Sequence, residues 1–243
     1  TVINNVETIA NIPTIVRNGA DWFKQFGTEK SPGFKLFAVS GHVERPGIYE
    51  APLGTTMREL LEFAGGVRKG HQLKFWIPGG SSVPMLMPEH LDTPLTYEDM
   101  GALGTMLGTG TPMVFDETTS VVRAISRWIH FYKHESCGKC TPCREGTFWL
   151  DQLLERFEHG TALETDIEKV DEICKQIAGR SFCALGDAAA LPVKSFVNHF
   201  RTEFEYHIEH KRCLVQGENS QPKWGRAGAY GVSGDPGGAG LEA

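Results

Sequence analysis

The sequence Ser136-Cys137-Gly138-Lys139-Cys140-Thr141-Pro142-Cys143-Arg144-Glu145-Gly146-Thr147 contains three cysteines within seven residues, and two residues separate each cysteine from the next. A fourth cysteine, Cys183, follows 40 residues after Cys143. Thiolates this close together repel one another, so such a cluster needs a bound cation or a redox role. The stretch therefore predicts a site at which several sulfurs meet.

A cubane iron–sulfur cluster is commonly held by three cysteines from one tight loop and a fourth from a distant part of the chain. We therefore predict a [4Fe–4S] cluster at this site. Gly138 lets the loop turn, and Pro142 stiffens it. The predicted metal ligands are Cys137, Cys140, Cys143 and Cys183.

Two other uses of the cysteines stay open at this point. Structural zinc also takes four cysteines, although zinc ribbons usually offer two separated pairs rather than a triplet and a single residue. A disulfide framework fits less well, because six cysteines are sparse in a chain of 243 residues and nothing indicates secretion. Cys174 lies on an apolar helical stripe, and we expect it and Cys213 to be core or helix-end residues.

The composition is that of a globular protein, with 40% hydrophobic and 22% charged residues and a net charge of −6. No broad basic stripe is present, which argues against nucleic acid as a partner. No segment is suited to span a membrane, since the longest uncharged run, residues 100–115, contains four glycines and a proline. The absence of a signal peptide and the reduced-thiol pattern favour a cytoplasm or an organelle matrix.

Residues 1–27 are predicted to be helical. Asn4 or Asn5 is a suitable N-cap, and Glu7 stands in the capping-box position relative to Asn4. Pro13 is expected to break the pattern or to open a second helical turn. A helix N-terminus of this kind, flanked by Thr8, suits an anion such as a phosphate, although a simple capped helix explains it as well. Because helical sequence begins almost at Thr1, we expect the chain to be the C-terminal portion of a longer protein.

The middle of the chain alternates short strands with one helix. Strands are predicted at residues 34–39, 47–50, 74–77 and 113–115, and a helix at residues 57–64 that Thr56 caps. This order suggests a small α+β unit of the β-grasp type. The glycines of residues 108–110 have the wrong spacing for a dinucleotide-binding fingerprint.

From Thr118 onward, apolar residues recur at spacings of three and four, which predicts four amphipathic helices and hence a four-helix bundle. The cysteine triplet falls in the link between the first and second helices, and Cys183 falls in the link between the third and fourth. In an up-down bundle those two links lie at the same end. The glycine-rich residues 214–243 are predicted to be a flexible tail.

These stretches together resemble the NADH-binding flavoprotein subunit of respiratory complex I, the family of the F subunit of NADH-quinone oxidoreductase, over residues 1–213. The resemblance rests on residues 4–8, 39–47, 108–110, 135–146 and 181–183. It implies an α+β chain with three parts, which the tail predicted from composition (214–243) follows. The parts are the helical end of an FMN- and NADH-binding domain (1–30), a soluble-ligand-binding β-grasp domain (31–117) and an iron–sulfur four-helix bundle (118–213).

The resemblance also implies an activity: electrons pass from NADH through FMN to a [4Fe–4S] cluster and on to clusters of partner subunits. The FMN-contacting positions implied are Asn4, Asn5, Thr8, Ala184 and Leu185. The family's glycine-rich FMN and NADH loops are not in this sequence, so the NADH site and the NADH dehydrogenase activity belong to the full subunit. Three basic residues near the proposed ligands are candidates to offset thiolate charge, and they are Lys139, Arg144 and Arg180.

The implied partners are a thioredoxin-like [2Fe–2S] subunit and a large multi-cluster subunit of the peripheral arm, without direct insertion into the membrane. The implied location is the inner face of the plasma membrane, or the matrix side in a mitochondrion. One alternative is the diaphorase subunit of an NAD-linked hydrogenase or formate dehydrogenase, which has the same module. Another, of a different class, is a zinc-stapled interaction module.

Overall fold

The computed structural model describes residues 1–215. It is a mixed α+β fold, with a four-stranded sheet and eight α-helices in the described residues. The chain divides into two compact units, Thr1–Glu117 and Thr118–Ala243. The flexible tail predicted for 214–243 lies outside the described residues from 216 onward.

The first unit opens with two helices instead of the single helix expected over residues 1–27. Helix α1 spans Val6–Asn18 and α2 spans Ala20–Phe23. Gly19, between them, has a φ of 89°, a left-handed conformation that interrupts the helix and that glycine adopts at little cost. Pro13 lies inside α1 and does not end it.

The capping-box expectation at the start of α1 was wrong. Asn5 is the N-cap, and its side-chain oxygen accepts a hydrogen bond of 2.8 Å from the backbone N–H of Glu7. The Glu7 carboxylate instead pairs with Lys35 Nζ at 2.9 Å and accepts the backbone N–H of Leu36 at 2.8 Å. Burial opposes ionisation of Glu7 most strongly, but these contacts outweigh it and lower the pKa of the carboxyl. Glu7 therefore ties α1 to the first strand.

The sheet has the strand order β2-β1-β4-β3. Its strands are β1 (Phe34–Gly41), β2 (Gly47–Pro52), β3 (Leu73–Ile77) and β4 (Met113–Asp116). The β1–β2 and β3–β4 pairs are antiparallel, whereas β1 and β4 run parallel. All four predicted strands are thus present, each longer than predicted by one or two residues.

A close approach between two strands explains one glycine of the stretch at residues 39–47. Gly41 ends β1 with a φ of 88°, and a Cβ added there would lie 2.2 Å from the backbone oxygen of Val114. A side chain at this position would therefore collide with β4, so only glycine fits.

Helix α3 (Met57–Phe63) supplies the apolar face that covers the sheet. Thr56 and Glu59 form a capping box at its start, and Met57 and Leu60 are fully buried. The same core contains the side chains of Phe37, Trp76, Leu95, Met100, Leu107 and Val114. The sequence analysis missed two short elements that lie between β3 and β4, a 3-10 turn (Pro88–His90) and α4 (Tyr97–Ala102).

The carboxylate of Asp116, at the end of β4, is completely buried and is surrounded by cationic or potentially cationic groups. Arg68 Nε contacts one of its oxygens, and His42 Nδ1 lies 2.9 Å from the other. A buried carboxylate is tolerated only when it is paired and hydrogen-bonded. These contacts link the end of β4 to the segments that follow β1 and α3.

The second unit consists of four helices that pack against one another: α5 (Val121–Glu135), α6 (Thr141–Glu158), α7 (Asp166–Ile177) and α8 (Leu185–His210). The four apolar stripes predicted from the sequence all fall on these helices. Their buried core contains Ile125, Ile129, Leu150, Leu154, Val170, Ile177, Val193, Phe196 and Phe204.

Contacts at both ends show that α6 and α8 run in the same direction. Near their starts, the backbone N–H of Phe182 donates to Cys140 Sγ at 3.3 Å. At their far ends, His207 Nδ1 lies 3.1 Å from the carbonyl oxygen of Phe157. The α5–α6 and α7–α8 links therefore lie at one end of this unit, as the periodicity predicted.

Within residues 1–215, no helix combines the length and the apolar character needed to cross a membrane.

We expect Asp116→Ala to lower the free energy of unfolding by about 2 kcal/mol, because it removes hydrogen bonds between a buried carboxylate and charged groups. Urea denaturation measures this change. The matched control is Asp92→Ala, which removes the Arg58–Asp92 pair, in which both partners are exposed. Exposed ion pairs contribute little, so the control should change the urea midpoint only slightly. Equal effects of the two substitutions would contradict the importance assigned to Asp116.

Candidate metal centre

The four predicted ligands lie at the starts of two helices. Cys137 is exposed in the α5–α6 link, and Cys140 is the half-buried N-cap of α6. Cys143 is the third residue of α6 and only 6% exposed, so the expectation that the whole triplet lies in the link was wrong. Cys183 is exposed, two residues before α8 begins.

Two contacts join the ligand-bearing links, which are distant in sequence. The first is the Phe182 N–H bond to Cys140 Sγ described above. In the second, Lys139 Nζ lies 5.2 Å from the centroid of the Phe182 ring, which is within cation–π range. The residue preceding Cys183 is thereby held against the cysteine triplet.

Both helices that begin here lack a side-chain cap. The N-cap positions of α6 and α8 are Cys140 and Ala184, and neither makes a side-chain capping hydrogen bond. Asn5, Thr56, Thr96 and Ser120 cap other helices with their side chains, whereas α2 and α7 also lack such a cap. The first N–H groups of a helix carry partial positive charge and favour a neighbouring anion. Two such N-termini beside four cysteines suit a negatively charged metal–thiolate group.

The donor set itself fits an iron–sulfur cluster, which binds through cysteine thiolates. Two sulfurs already receive or contact donors, since Cys140 Sγ accepts an amide N–H and Cys143 Sγ lies 3.3 Å from Ser136 Oγ. In the described residues, the groups of three potential ligand atoms within 4.8 Å of one another do not include these sulfurs. A single zinc ion holds each sulfur about 2.3 Å from the metal, so its four sulfurs would lie within 4.8 Å of one another.

Two groups of potential ligand atoms lie within that distance in the described residues. One is His71 with Asp116 and Glu117, and the other is His130 with Asp151 and Glu155. In each, a permanent cation already contacts the buried carboxylate: Arg68 contacts Asp116, and Lys133 Nζ lies 2.6 Å from Asp151. The charge of each buried carboxylate is thus compensated within the protein without a bound metal.

The three basic residues near the ligands differ in their surroundings. Arg144 is engaged locally, since it donates to the Gly138 carbonyl at 2.7 Å and to the Glu145 carboxylate at 2.7 Å. Lys139 lies over the Phe182 ring. Arg180 lines a cavity of about 260 Å³ between α6 and α7. Arg144 therefore stabilises the turn of the ligand loop through its own contacts.

The two remaining cysteines differ from the predicted ligands. Cys174 is 1% exposed on α7, and burial, with a contribution from Asp171, raises the pKa of its thiol to about 12. Cys213 is half-buried beyond the end of α8 and hydrogen-bonds His207. Cys174 is a core residue, as expected from its apolar stripe.

The residues implied in FMN contact fall in both units. Asn4, Asn5 and Thr8 are exposed at the start of α1 in the first unit. Ala184 and Leu185 lie at the start of α8 in the second unit. The side-chain oxygen of Asn5 caps α1 and so already accepts one hydrogen bond within the protein.

Comparison with known protein families gives two matches. Residues 123–207 match the NADH-ubiquinone oxidoreductase-F iron-sulfur binding region, and residues 36–86 match the SLBB domain. The first match contains all four predicted ligands and establishes an iron–sulfur cluster as the group associated with this region.

Curated relatives cover most of the chain. It is 64% identical over 213 residues to the F subunit of the NADH-quinone oxidoreductase of Mycobacterium tuberculosis, a match that covers 88% of this chain and 48% of the relative. The F subunit of the Streptomyces coelicolor enzyme is 59% identical over 213 residues, with 88% and 47% covered. The chain matches the C-terminal portion of the NADH-quinone oxidoreductase F subunit and spans about half the length of the curated relatives it matches.

A solved structure shares the fold of this chain. The NAD⁺-reducing [NiFe]-hydrogenase in its air-oxidized state matches with a TM-score of 0.78 and 36% identity. The match covers 86% of this chain and 35% of the hydrogenase chain. Its H2-reduced state matches similarly, with a TM-score of 0.77.

The sequence analysis missed the hydrogen-bond donors around the sulfurs. The Phe182 N–H is a backbone group and leaves no signal in residue types. Ser136 directly precedes Cys137, but its contact with Cys143 depends on the turn between α5 and α6.

In metal-free protein, we expect the exposed Cys137 and Cys183 to be alkylated rapidly at pH 8 and Cys174 to react slowly. Thiolates are the reactive form, and Cys174 is both buried and almost fully protonated at that pH. Timed iodoacetamide labelling followed by peptide mass spectrometry measures each rate. Labelling of Cys174 as fast as Cys183 would contradict its placement in the core.

Proposed function

We propose that this chain holds a [4Fe–4S] cluster in the electron-input module of an NADH:quinone oxidoreductase, with Cys137, Cys140, Cys143 and Cys183 as ligands. The observation that carries the proposal is the meeting of two cysteine-bearing links at the uncapped starts of α6 and α8. The iron–sulfur family match over residues 123–207 supports it.

The proposed domain organisation follows the two compact units. Residues 1–30 are the helical end of an FMN- and NADH-binding domain, and residues 31–117 are a β-grasp domain of the soluble-ligand-binding type. Residues 118–213 are a four-helix bundle that carries the cluster, and residues 214–243 are a tail. The division between units at residue 117 and the SLBB match at 36–86 support these boundaries.

The proposed activity of the complete protein is NADH dehydrogenase. When bound, FMN takes two electrons from NADH as a hydride and releases them singly, and the iron–sulfur cluster passes on one electron at a time. Asn4, Asn5 and Thr8 would bind FMN at the α1 N-terminus, where partial positive charge favours its phosphate. Ala184 and Leu185 would contact it beside a cluster ligand. The NADH site belongs to parts of the protein that this sequence does not contain.

In this scheme the chain's residues position charge and exclude solvent. The thiolates hold the metal group, while the α6 and α8 N-termini and the Phe182 N–H stabilise negative charge on the sulfurs. Cys143, at 6% exposure, defines the protein-facing side of the site. The exposed Cys137 and Cys183 define the side open to cofactor and partner.

The proposed partners are the thioredoxin-like [2Fe–2S] subunit and the large multi-cluster subunit of the peripheral arm of complex I. In that assembly the chain would lie at the inner face of the plasma membrane, or on the matrix side in a mitochondrion. Relatives named as the F subunit of NADH-quinone oxidoreductase, up to 64% identical, support this assignment.

A second candidate function is the diaphorase subunit of an NAD-linked hydrogenase. The structural match to the NAD⁺-reducing [NiFe]-hydrogenase favours it, at 36% identity. The higher identity to the quinone-linked relatives favours the first interpretation. The zinc-stapled module is less well supported, because the matched family region is an iron–sulfur one.

Anaerobically purified chain should contain about four irons and four inorganic sulfides and little zinc, as expected for one cubane. Cys183→Ser should lower both iron and sulfide. The matched control, Cys213→Ser, should leave them unchanged, because Cys213 lies beyond the far end of α8. Stoichiometric zinc without sulfide would refute the cluster, and iron loss in the control would refute the ligand set.

In the assembled complex, Cys183→Ser should leave the reduction of FMN by NADH intact and stop electron transfer to quinone. The cluster is the proposed exit for single electrons, whereas hydride transfer occurs at the flavin. Stopped-flow bleaching of the flavin and steady-state quinone reduction measure the two steps, with FMN content checked in both proteins. Normal quinone reduction in a variant that lacks this cluster would exclude the proposed electron path.

A further inference from the structure

We propose that the hydroxyl of Ser136 donates a hydrogen bond to the Cys143 thiolate and thereby raises the reduction potential of the cluster. This inference rests on the proposed function, because it assumes that Cys143 is a cluster ligand. It assigns Ser136 as a positioning residue that acts on the cluster through Cys143.

The turn between α5 and α6 fixes the position of the Ser136 side chain. Gly138 has a φ of 75°, and its backbone N–H donates to Ser136 Oγ at 3.3 Å. Serine side chains commonly accept a hydrogen bond from the backbone two residues on, in turns of this type. The Arg144 guanidinium donates to the Gly138 carbonyl at 2.7 Å and holds the same turn from its other side.

The state of the Cys143 sulfur fixes the direction of the hydrogen bond between Ser136 and Cys143. A serine hydroxyl has one hydrogen and two lone pairs, and one lone pair accepts the Gly138 N–H. Ser136 Oγ also lies 3.3 Å from Cys143 Sγ. A thiolate that binds iron has no hydrogen to donate, so in this pair the hydroxyl is the donor and the sulfur is the acceptor.

The side chain of Ser136 is not needed for ending the helix. Ser136 is the C-cap residue of α5, but its cap bond runs from its backbone N–H to the Tyr132 carbonyl. Any residue other than proline makes that backbone bond. The hydroxyl is therefore available for the sulfur, and a valine at this position would keep the helix end while losing the donor.

The effect on the cluster follows from charge. Reduction adds one electron, and part of that negative charge falls on the thiolate sulfurs. A hydroxyl aimed at the mostly buried Cys143 sulfur stabilises that charge, and hydrogen bonds to sulfur are a recognised determinant of cluster potential. Burial strengthens the contact, because little water competes for the sulfur.

The test compares Ser136→Thr with Ser136→Val, which have the same shape and differ only in the hydroxyl. Each variant is made in the full chain and purified anaerobically, and a dithionite titration with redox mediators is followed by EPR. Ser136→Thr should keep a potential near that of the unaltered protein, and Ser136→Val should shift it to a more negative value.

A matched control removes a different hydroxyl from the same ligand's surroundings. Thr147 Oγ1 donates to the Cys143 carbonyl oxygen at 2.7 Å and not to its sulfur. Thr147→Val should therefore leave the potential close to that of the unaltered protein. An equal shift in this control and in Ser136→Val would overturn the specific role of Ser136.

The remaining outcomes also decide the question. Equal potentials in the Thr and Val variants would overturn the inference, as would loss of the cluster from both, because shape rather than the hydroxyl would then matter. Cluster retained in Ser136→Thr and lost in Ser136→Val would support a positioning role for the hydroxyl. Absence of iron, sulfide and EPR signal from the unaltered chain would instead refute the proposed function.

Discussion

The mutual repulsion of closely spaced thiolates is the constraint on which the second unit of this protein depends. Three cysteine thiolates within seven residues and a fourth from another link can stay ionised together only if positive charge compensates them. The fold supplies it by starting two uncapped helices at the site and by directing an amide N–H at Cys140. The parallel course of α6 and α8, which their packing in the unit maintains, brings these helix starts together.

The same rule of local charge compensation applies to the buried carboxylates. Asp166 is completely buried at the start of α7, where Arg156 and Lys169 each contact it at 3.0 Å. Burial opposes its ionisation most strongly, but these cations and the Leu163 N–H outweigh that effect and lower the pKa of the carboxyl. Asp116 and Asp151 are paired in the same way with Arg68 and Lys133. Clusters that resemble metal sites by residue type are therefore already balanced.

Periodicity predicted most of the fold because the elements that bury an apolar face repeat that face in sequence. The four strands and the four helices of the second unit were all found on this basis. Short elements escaped, and α4, six residues long in a glycine-rich region, is one of them. The role of Glu7 was mispredicted because its partners, Lys35 and Leu36, lie almost 30 residues away and local capping rules do not detect them.

At the candidate site, spacing predicted Cys137, Cys140, Cys143 and Cys183 as ligands, and helical periodicity placed their links at one end. The contacts that hold these links were not predicted. The side-chain and backbone donors depend on the conformation of the turn at Gly138 and on the approach of Phe182, which residue types do not encode. The 39 residues between Cys143 and Cys183, with most of α6 and all of α7 inside them, have a consequence for biogenesis. During synthesis the first three sulfurs leave the ribosome well before the fourth, so a complete four-sulfur site exists only after both helices have been made.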